Sequence, residues 1–136
     1  MQELLADQST DPYTTLEALV RDMLVLLPNP LNVAAFEQRL RRKGVQGMAI
    51  PALDLFEDDD VWVLQFMSNP QGNPNDGLFC RVAKDDIESV QLLRQVVVPM
   101  GLIEITGELG AFNIDADAPS FSVVFEPCRI NAVRPR

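Results

Sequence analysis

The chain contains no histidine and only two cysteines among its 136 residues. Histidine is the usual general base near neutral pH and the commonest side-chain ligand of transition metals. Its absence excludes histidine-dependent serine or cysteine nucleophiles and histidine-bearing zinc sites. Mechanisms based on carboxylates or lysine are not excluded. Asp54, Asp86 and Glu104 could supply a carboxylate pair, but nothing in the sequence indicates that they converge.

The two cysteines, Cys80 and Cys128, each lie in a segment with the character of a strand. We predict two reduced thiols that pack as small hydrophobic side chains. A disulfide would require an oxidising compartment, and a metal site would require more ligands. The chain carries Glu3 and Asp7 before its first basic residue, Arg21, which is unlike a secretory signal, so we expect a cytoplasmic protein.

Long apolar runs and positive charge are both scarce. The apolar run 23–27 ends at Pro28, far short of the roughly 20 residues that cross a bilayer, so no membrane contact is expected. Eleven basic residues stand against 20 acidic ones, and the net charge of −9 disfavours broad contact with nucleic acid. Neither a Walker pattern nor GxGxxG occurs, and we predict no cofactor and no bound metal.

The first third of the chain has the periodicity of two helices. A helix is predicted to begin near Thr15 and to end at Pro28, and a second helix is predicted from Asn32 to Gly44. Apolar residues recur at steps of three and four in the first helix and form one broad face: Leu16, Leu19, Val20, Met23, Leu24 and Leu27. The pattern indicates a helical hairpin over residues 14–44.

The remainder, residues 48–133, is typical of strands. We predict strands over 49–56, 61–67 and 78–83, a short helix capped by Asp85, and a hairpin that pairs 102–109 with 121–125. The expected fold is therefore α+β. A flexible N-terminus (1–11) precedes a single domain (12–136), in which the helical hairpin is followed by an antiparallel sheet or small barrel of about five to six strands.

Four basic residues, Arg39, Arg41, Arg42 and Lys43, crowd the last turn of the second helix. Positive charge there complements the carbonyl end of the helix dipole, which is a purely structural explanation. The alternative explanation is a contact for an acidic protein surface or a phosphate group.

The leading functional hypothesis is a non-enzymatic interaction protein, such as an adaptor, assembly factor, chaperone or inhibitor of a larger partner. It depends on the missing catalytic set, the acidity and the excess of apolar surface on the first helix. A homodimer through that helix is an alternative way to cover the surface. The candidate interaction residues are Leu16, Leu19 and Met23 together with the four basic residues Arg39, Arg41, Arg42 and Lys43.

A second hypothesis is a module that binds single-stranded nucleic acid. The segment 105–113, Ile-Thr-Gly-Glu-Leu-Gly-Ala-Phe-Asn, and the strand that follows it resemble the end of many oligonucleotide-binding barrels. The resemblance implies a binding face formed by Trp62, Phe66, Phe79 and Arg81 on central strands. The acidic charge argues against this hypothesis, because such barrels carry a positive groove.

Overall fold

A computed structural model describes residues 11–26, 28–68, 76–96, 98–99, 101–115 and 120–134. The flexible N-terminus predicted for residues 1–11 lies outside these ranges except for its last residue. The elements in chain order are β1 (Tyr13–Thr15), α1 (Leu16–Leu26), a 3-10 helix (Pro30–Asn32), α2 (Val33–Lys43), β2 (Val45–Pro51), β3 (Asp54–Asp58), β4 (Val61–Ser68), β5 (Gly77–Ala83), α3 (Ile87–Leu93), β6 (Leu102–Asp115) and β7 (Ser120–Arg134).

The strands form one seven-stranded mixed sheet in the order β1-β2-β6-β7-β5-β4-β3. The α+β class is confirmed, but the prediction of a purely antiparallel sheet is wrong, because β1 pairs with β2 in parallel and β5 pairs with β7 in parallel. Helices α1 and α2 lie between β1 and β2 in the chain and form the connection that parallel strands need, whereas α3 and the antiparallel strand β6 lie between β5 and β7. The sheet does not close into a barrel, since β1 and β3 form its two edges.

The strand predicted over 49–56 is two strands that lie far apart in the strand order, β2 in second place and β3 at the far edge. β2 ends at Pro51 beside β6, whereas β3 begins at Asp54 beside β4. Between them Ala52 donates its amide to Gly101 O at 2.8 Å and Leu53 donates to Gln65 O at 2.9 Å. The chain thus changes partner strands within two residues, which requires the sheet to curl so that its two ends approach each other.

The helices begin and end close to the predicted residues. Thr15 Oγ1 accepts a hydrogen bond from Ala18 N at 3.2 Å, so Thr15 caps α1. Gly44 ends α2 with φ of 61°, and a Cβ there would lie 2.8 Å from Gly107 O. The cap predicted at Asp85 is wrong by one residue: Asp86 accepts the bond from Ser89 N at the start of α3.

A continuous hydrophobic core fills the concave side of the sheet and holds α1, α2 and α3 against it. Its largest fully buried side chains include Phe36 of α2, Phe66 of β4 and Phe125 of β7. The rings of Phe66 and Phe125 stack at 6.2 Å between centroids. A smaller cluster on the opposite side of the sheet contains Val61, Val63 and Phe79.

The prediction of two reduced thiols is wrong, because Cys80 and Cys128 form a disulfide. Cys80 lies on β5 and Cys128 on the neighbouring β7, and both side chains point into the core. Their Cα atoms are 5.6 Å apart, within the range that a disulfide spans. The chain has only these two cysteines, but 48 positions separate them and the sequence does not show that β5 and β7 are neighbours.

Candidate functional site

A groove of about 910 Å³ runs along α1 in the described part of the chain. We call it the α1 groove. It is bounded by the end of β1, the outward face of α1, and one residue from each of two strands that are not neighbours in the sheet. Its lining residues are Thr14, Thr15, Leu16, Glu17, Val20, Arg21, Leu24, Val25, Ala49 and Met67.

Helix α1 has more apolar side chains than one buried face requires. Leu19, Met23 and Leu26 face the core, and Leu19 is only 1% exposed. Leu24 is 67% exposed and Val25 is 37% exposed, and both line the groove. A helix that packs on a core through one face normally carries polar residues on the other. Among the residues that the structure describes, the outward apolar side chains of α1 therefore have no packing partner.

A buried polar cluster fixes the orientation of α1. Tyr13 donates its hydroxyl to Asp22 Oδ2 at 2.6 Å, and Arg39 Nη1 lies 3.5 Å from the same oxygen. These three residues join β1, α1 and α2. Burial, followed by the hydrogen bond to the Asp22 carboxylate, raises the pKa of the Tyr13 phenol above its ordinary value. The cluster therefore holds α1, which forms one wall of the groove, in place.

The predicted basic cluster does not form one patch. Arg39 is 3% exposed and forms an ion pair with Asp22, so it does not contribute to the surface. Arg41 pairs with Glu37 one turn earlier at 2.8 Å, and Lys43 Nζ lies 5.3 Å from the centroid of the Tyr13 ring. Arg42 is exposed. Arg39, Arg41 and Lys43 thus contact three different groups.

Of the apolar candidates from sequence, only Leu16 lines the groove. Leu19 and Met23 are buried in the core, with 1% and 5% of their surface exposed. Val20 and Leu24 belong to the predicted apolar face, and the groove residues that sequence reasoning missed are Thr14, Thr15, Glu17, Arg21, Val25, Ala49 and Met67. No sequence signal could have joined Ala49 to Met67, because they lie on β2 and β4 and approach only through the curl of the sheet.

The predicted nucleic-acid face is divided between two sides of the sheet. Trp62 and Phe66 belong to the core side, and Phe66 is 1% exposed. Phe79 and Arg81 lie on the other side, because side chains alternate along a strand. The four residues therefore do not form a stacking surface for bases.

Arg81 is also neutralised by its neighbours. Its Nη1 lies 3.0 Å from Asp58 Oδ2 and its Nε lies 3.3 Å from Glu126 Oε2. Partial burial lowers the pKa of the guanidinium, but the hydrogen bonds to Asp58 and Glu126 outweigh that effect and raise it. A phosphate would have to displace two carboxylates to reach this cation.

The three carboxylates considered for acid and base chemistry lie on separate elements. Asp54 accepts a bond from Leu55 N at 2.9 Å, Asp86 caps α3, and Glu104 pairs with Arg134 at 3.2 Å. In the described part of the chain, no group of three or more metal-binding side chains comes together. Within the same residues, no helix is both long and apolar enough to span a bilayer.

Comparisons with protein-family models, with curated proteins and with solved structures found no match to this chain.

Proposed function

We propose that the chain is a non-enzymatic protein-interaction domain that engages its partner through the α1 groove. The observation that carries this proposal is the second apolar face of α1, on which Leu24 is 67% exposed beside a groove of about 910 Å³. Exposed apolar surface of this kind, rimmed by polar residues such as Glu17 and Arg21, is typical of interaction sites.

The N-terminal helical hairpin is the recognition module in this proposal. The buried cluster of Tyr13, Asp22 and Arg39 connects α1 to the sheet and to α2, so the groove is formed before any partner arrives. A preformed site loses less conformational entropy on binding than a flexible one. Adaptor, assembly factor, chaperone and inhibitor are the roles consistent with such a site.

Site-specific cross-linking tests the proposal. A photo-reactive benzoylphenylalanine at position 24 would be compared with the same residue at position 87, since Ile87 is 66% exposed but lies on α3. We expect position 24 to trap defined protein species in the native cells, and Leu24→Asp to reduce their non-covalent capture at least 10-fold. Ile87→Asp is the matched control and should leave capture unchanged. Equal cross-linking at both positions would refute the proposal.

We also propose a cytoplasmic location. The Cys80–Cys128 disulfide argues against this location. Cytosolic thiols are normally kept reduced, whereas disulfides persist in oxidising compartments. Acid quenching of native cells, followed by alkylation and mass measurement, decides between the two. Two alkylated cysteines would support the cytoplasm, and none would indicate an oxidising compartment.

A further inference from the structure

The outward stripe of α1 has a regular arrangement of charge and apolar surface. Glu17, Val20, Arg21 and Leu24 are spaced i, i+3, i+4 and i+7, so they follow one face of the helix. All four line the α1 groove. Glu17, Arg21 and Leu24 are exposed, and Val20 is half-buried.

The two charges on this stripe have opposite sign and lie one turn apart. Neither Glu17 nor Arg21 forms an ion pair with any residue in the described ranges. By contrast, Arg39, Arg41 and Arg81 each pair with a carboxylate. The groove thus presents one free anion and one free cation beside an apolar surface.

We propose that the α1 groove is occupied by α1 of a second copy of this chain, with the two helices antiparallel about a twofold axis. This inference rests on the proposed function of the groove as an interaction site and names its partner. A twofold axis near residue 19 brings Glu17 of each copy opposite Arg21 of the other. Both free charges are then paired twice, which is the self-complementarity that a symmetric dimer requires.

The same register accounts for the exposed leucine. In an antiparallel pair that aligns position 17 with position 21, Leu24 of one copy lies opposite Thr14 of the other. That end of the groove is formed by Thr14, Thr15 and Leu16. Each copy therefore places Leu24, the more exposed of the two exposed apolar residues of its α1, beside Leu16 and the methyl groups of Thr14 and Thr15 of the other copy.

The dimer is expected to be weak. An 11-residue helix is about 16 Å long, so the contact is smaller than the roughly 800 Å² per partner of a standard interface. Two chains of charge −9 also repel each other at low ionic strength. We therefore expect a micromolar or weaker dissociation constant at physiological salt, as in the small contacts of transient complexes.

Sedimentation equilibrium of the full chain, from 5 µM to 1 mM, tests the dimer. The wild-type mass should rise from 15.1 kDa toward twice that value. Glu17→Lys and Arg21→Glu, each alone, place like charges opposite each other, so each should weaken association at least 10-fold. Leu24→Asp should abolish it, and Ile87→Asp on α3 is the control that should not change it.

An equimolar mixture of the Glu17→Lys and Arg21→Glu chains is the decisive sample. In the mixed dimer the introduced lysine faces the introduced glutamate, and native Arg21 faces native Glu17. The mixture should recover an association constant within about 3-fold of wild type, and this recovery also shows that both variants are folded. A groove that binds an unrelated partner has no reason to show such recovery.

A wild-type chain that remains monomeric at 1 mM, or a mixture that stays monomeric while circular dichroism shows both variants folded, would overturn the dimer. If cross-linking at position 24 still traps a different protein, the proposed function stands and only the second copy is excluded. If neither the sedimentation nor the cross-linking detects a partner, both proposals fail.

Discussion

The disulfide gives the sharpest stability prediction for this chain. The perturbation is reduction of Cys80–Cys128, which changes no atom of the side chains except the added hydrogens. Because both sulfurs lie in the core, the bond must be reduced in the unfolded state and the chain refolded with reductant present. The reduced chain should have a lower free energy of unfolding than the oxidised chain.

The magnitude follows from the length of the loop that the bond closes. For a separation of 48 residues, closing the loop removes about 14 cal/mol/K of chain entropy from the unfolded ensemble, which corresponds to about 4 kcal/mol at 25 °C. For a chain of this size the midpoint of thermal unfolding should fall by roughly 10–15 °C. The free energy of unfolding should also fall more steeply with urea concentration after reduction, because an unconstrained unfolded chain exposes more surface.

Urea unfolding is readily followed by fluorescence, because Trp62 is the only tryptophan. Wild type would be measured oxidised and reduced, and Cys80→Ala/Cys128→Ala would be measured with and without the same reductant as the control. The control variant should not respond to reductant. A difference below about 1 kcal/mol between oxidised and reduced wild type would refute the loop-entropy reasoning.

Three further predictions concern the groove wall and the sheet. The only tyrosine, Tyr13, should ionise above its ordinary pKa of about 10 in the folded chain, as seen by phenolate absorbance. Because the pKa of Tyr13 is higher in the folded chain than in the unfolded chain, its contribution to the free energy of unfolding is complete below pH 10. Above pH 10 that contribution should decline by about 1.4 kcal/mol per pH unit until the folded phenol ionises. Tyr13→Phe should remove this part of the decline. Gly77→Ala should lower the free energy of unfolding in urea by at least about 3 kcal/mol, because φ is 145° and the new Cβ would lie 1.9 Å from Met67 O. Gly47→Ala, whose Cβ would have no atom within 4 Å, should lower it by only about 1 kcal/mol. Fluorescence anisotropy with labelled single-stranded DNA should show no salt-dependent binding, since Arg81 is held by Asp58 and Glu126; binding lost with Arg81→Ala would contradict this.

Local patterns in the sequence were sufficient for most of the individual elements, but they did not indicate β1 or the division of residues 49–56 between β2 and β3. The apolar period of residues 16–26, the helix end at Gly44 and the alternation along β6 each depend on residues close together in the chain, so propensity and periodicity predict them. The α+β class follows from the same patterns. The absence of histidine likewise excludes a class of chemistry at the level of composition alone.

The tertiary structure decided everything that depends on pairing between distant residues. The parallel pairing of β5 with β7, the change of partner at Ala52 and the Cys80–Cys128 bond join segments whose sequences carry no mark of each other. Arg39 was a surface candidate in the sequence, yet folding places it beside Asp22 in the interior. The α1 groove exists because the curled sheet brings Ala49 and Met67 to the same helix face, and local sequence contains no information about that approach.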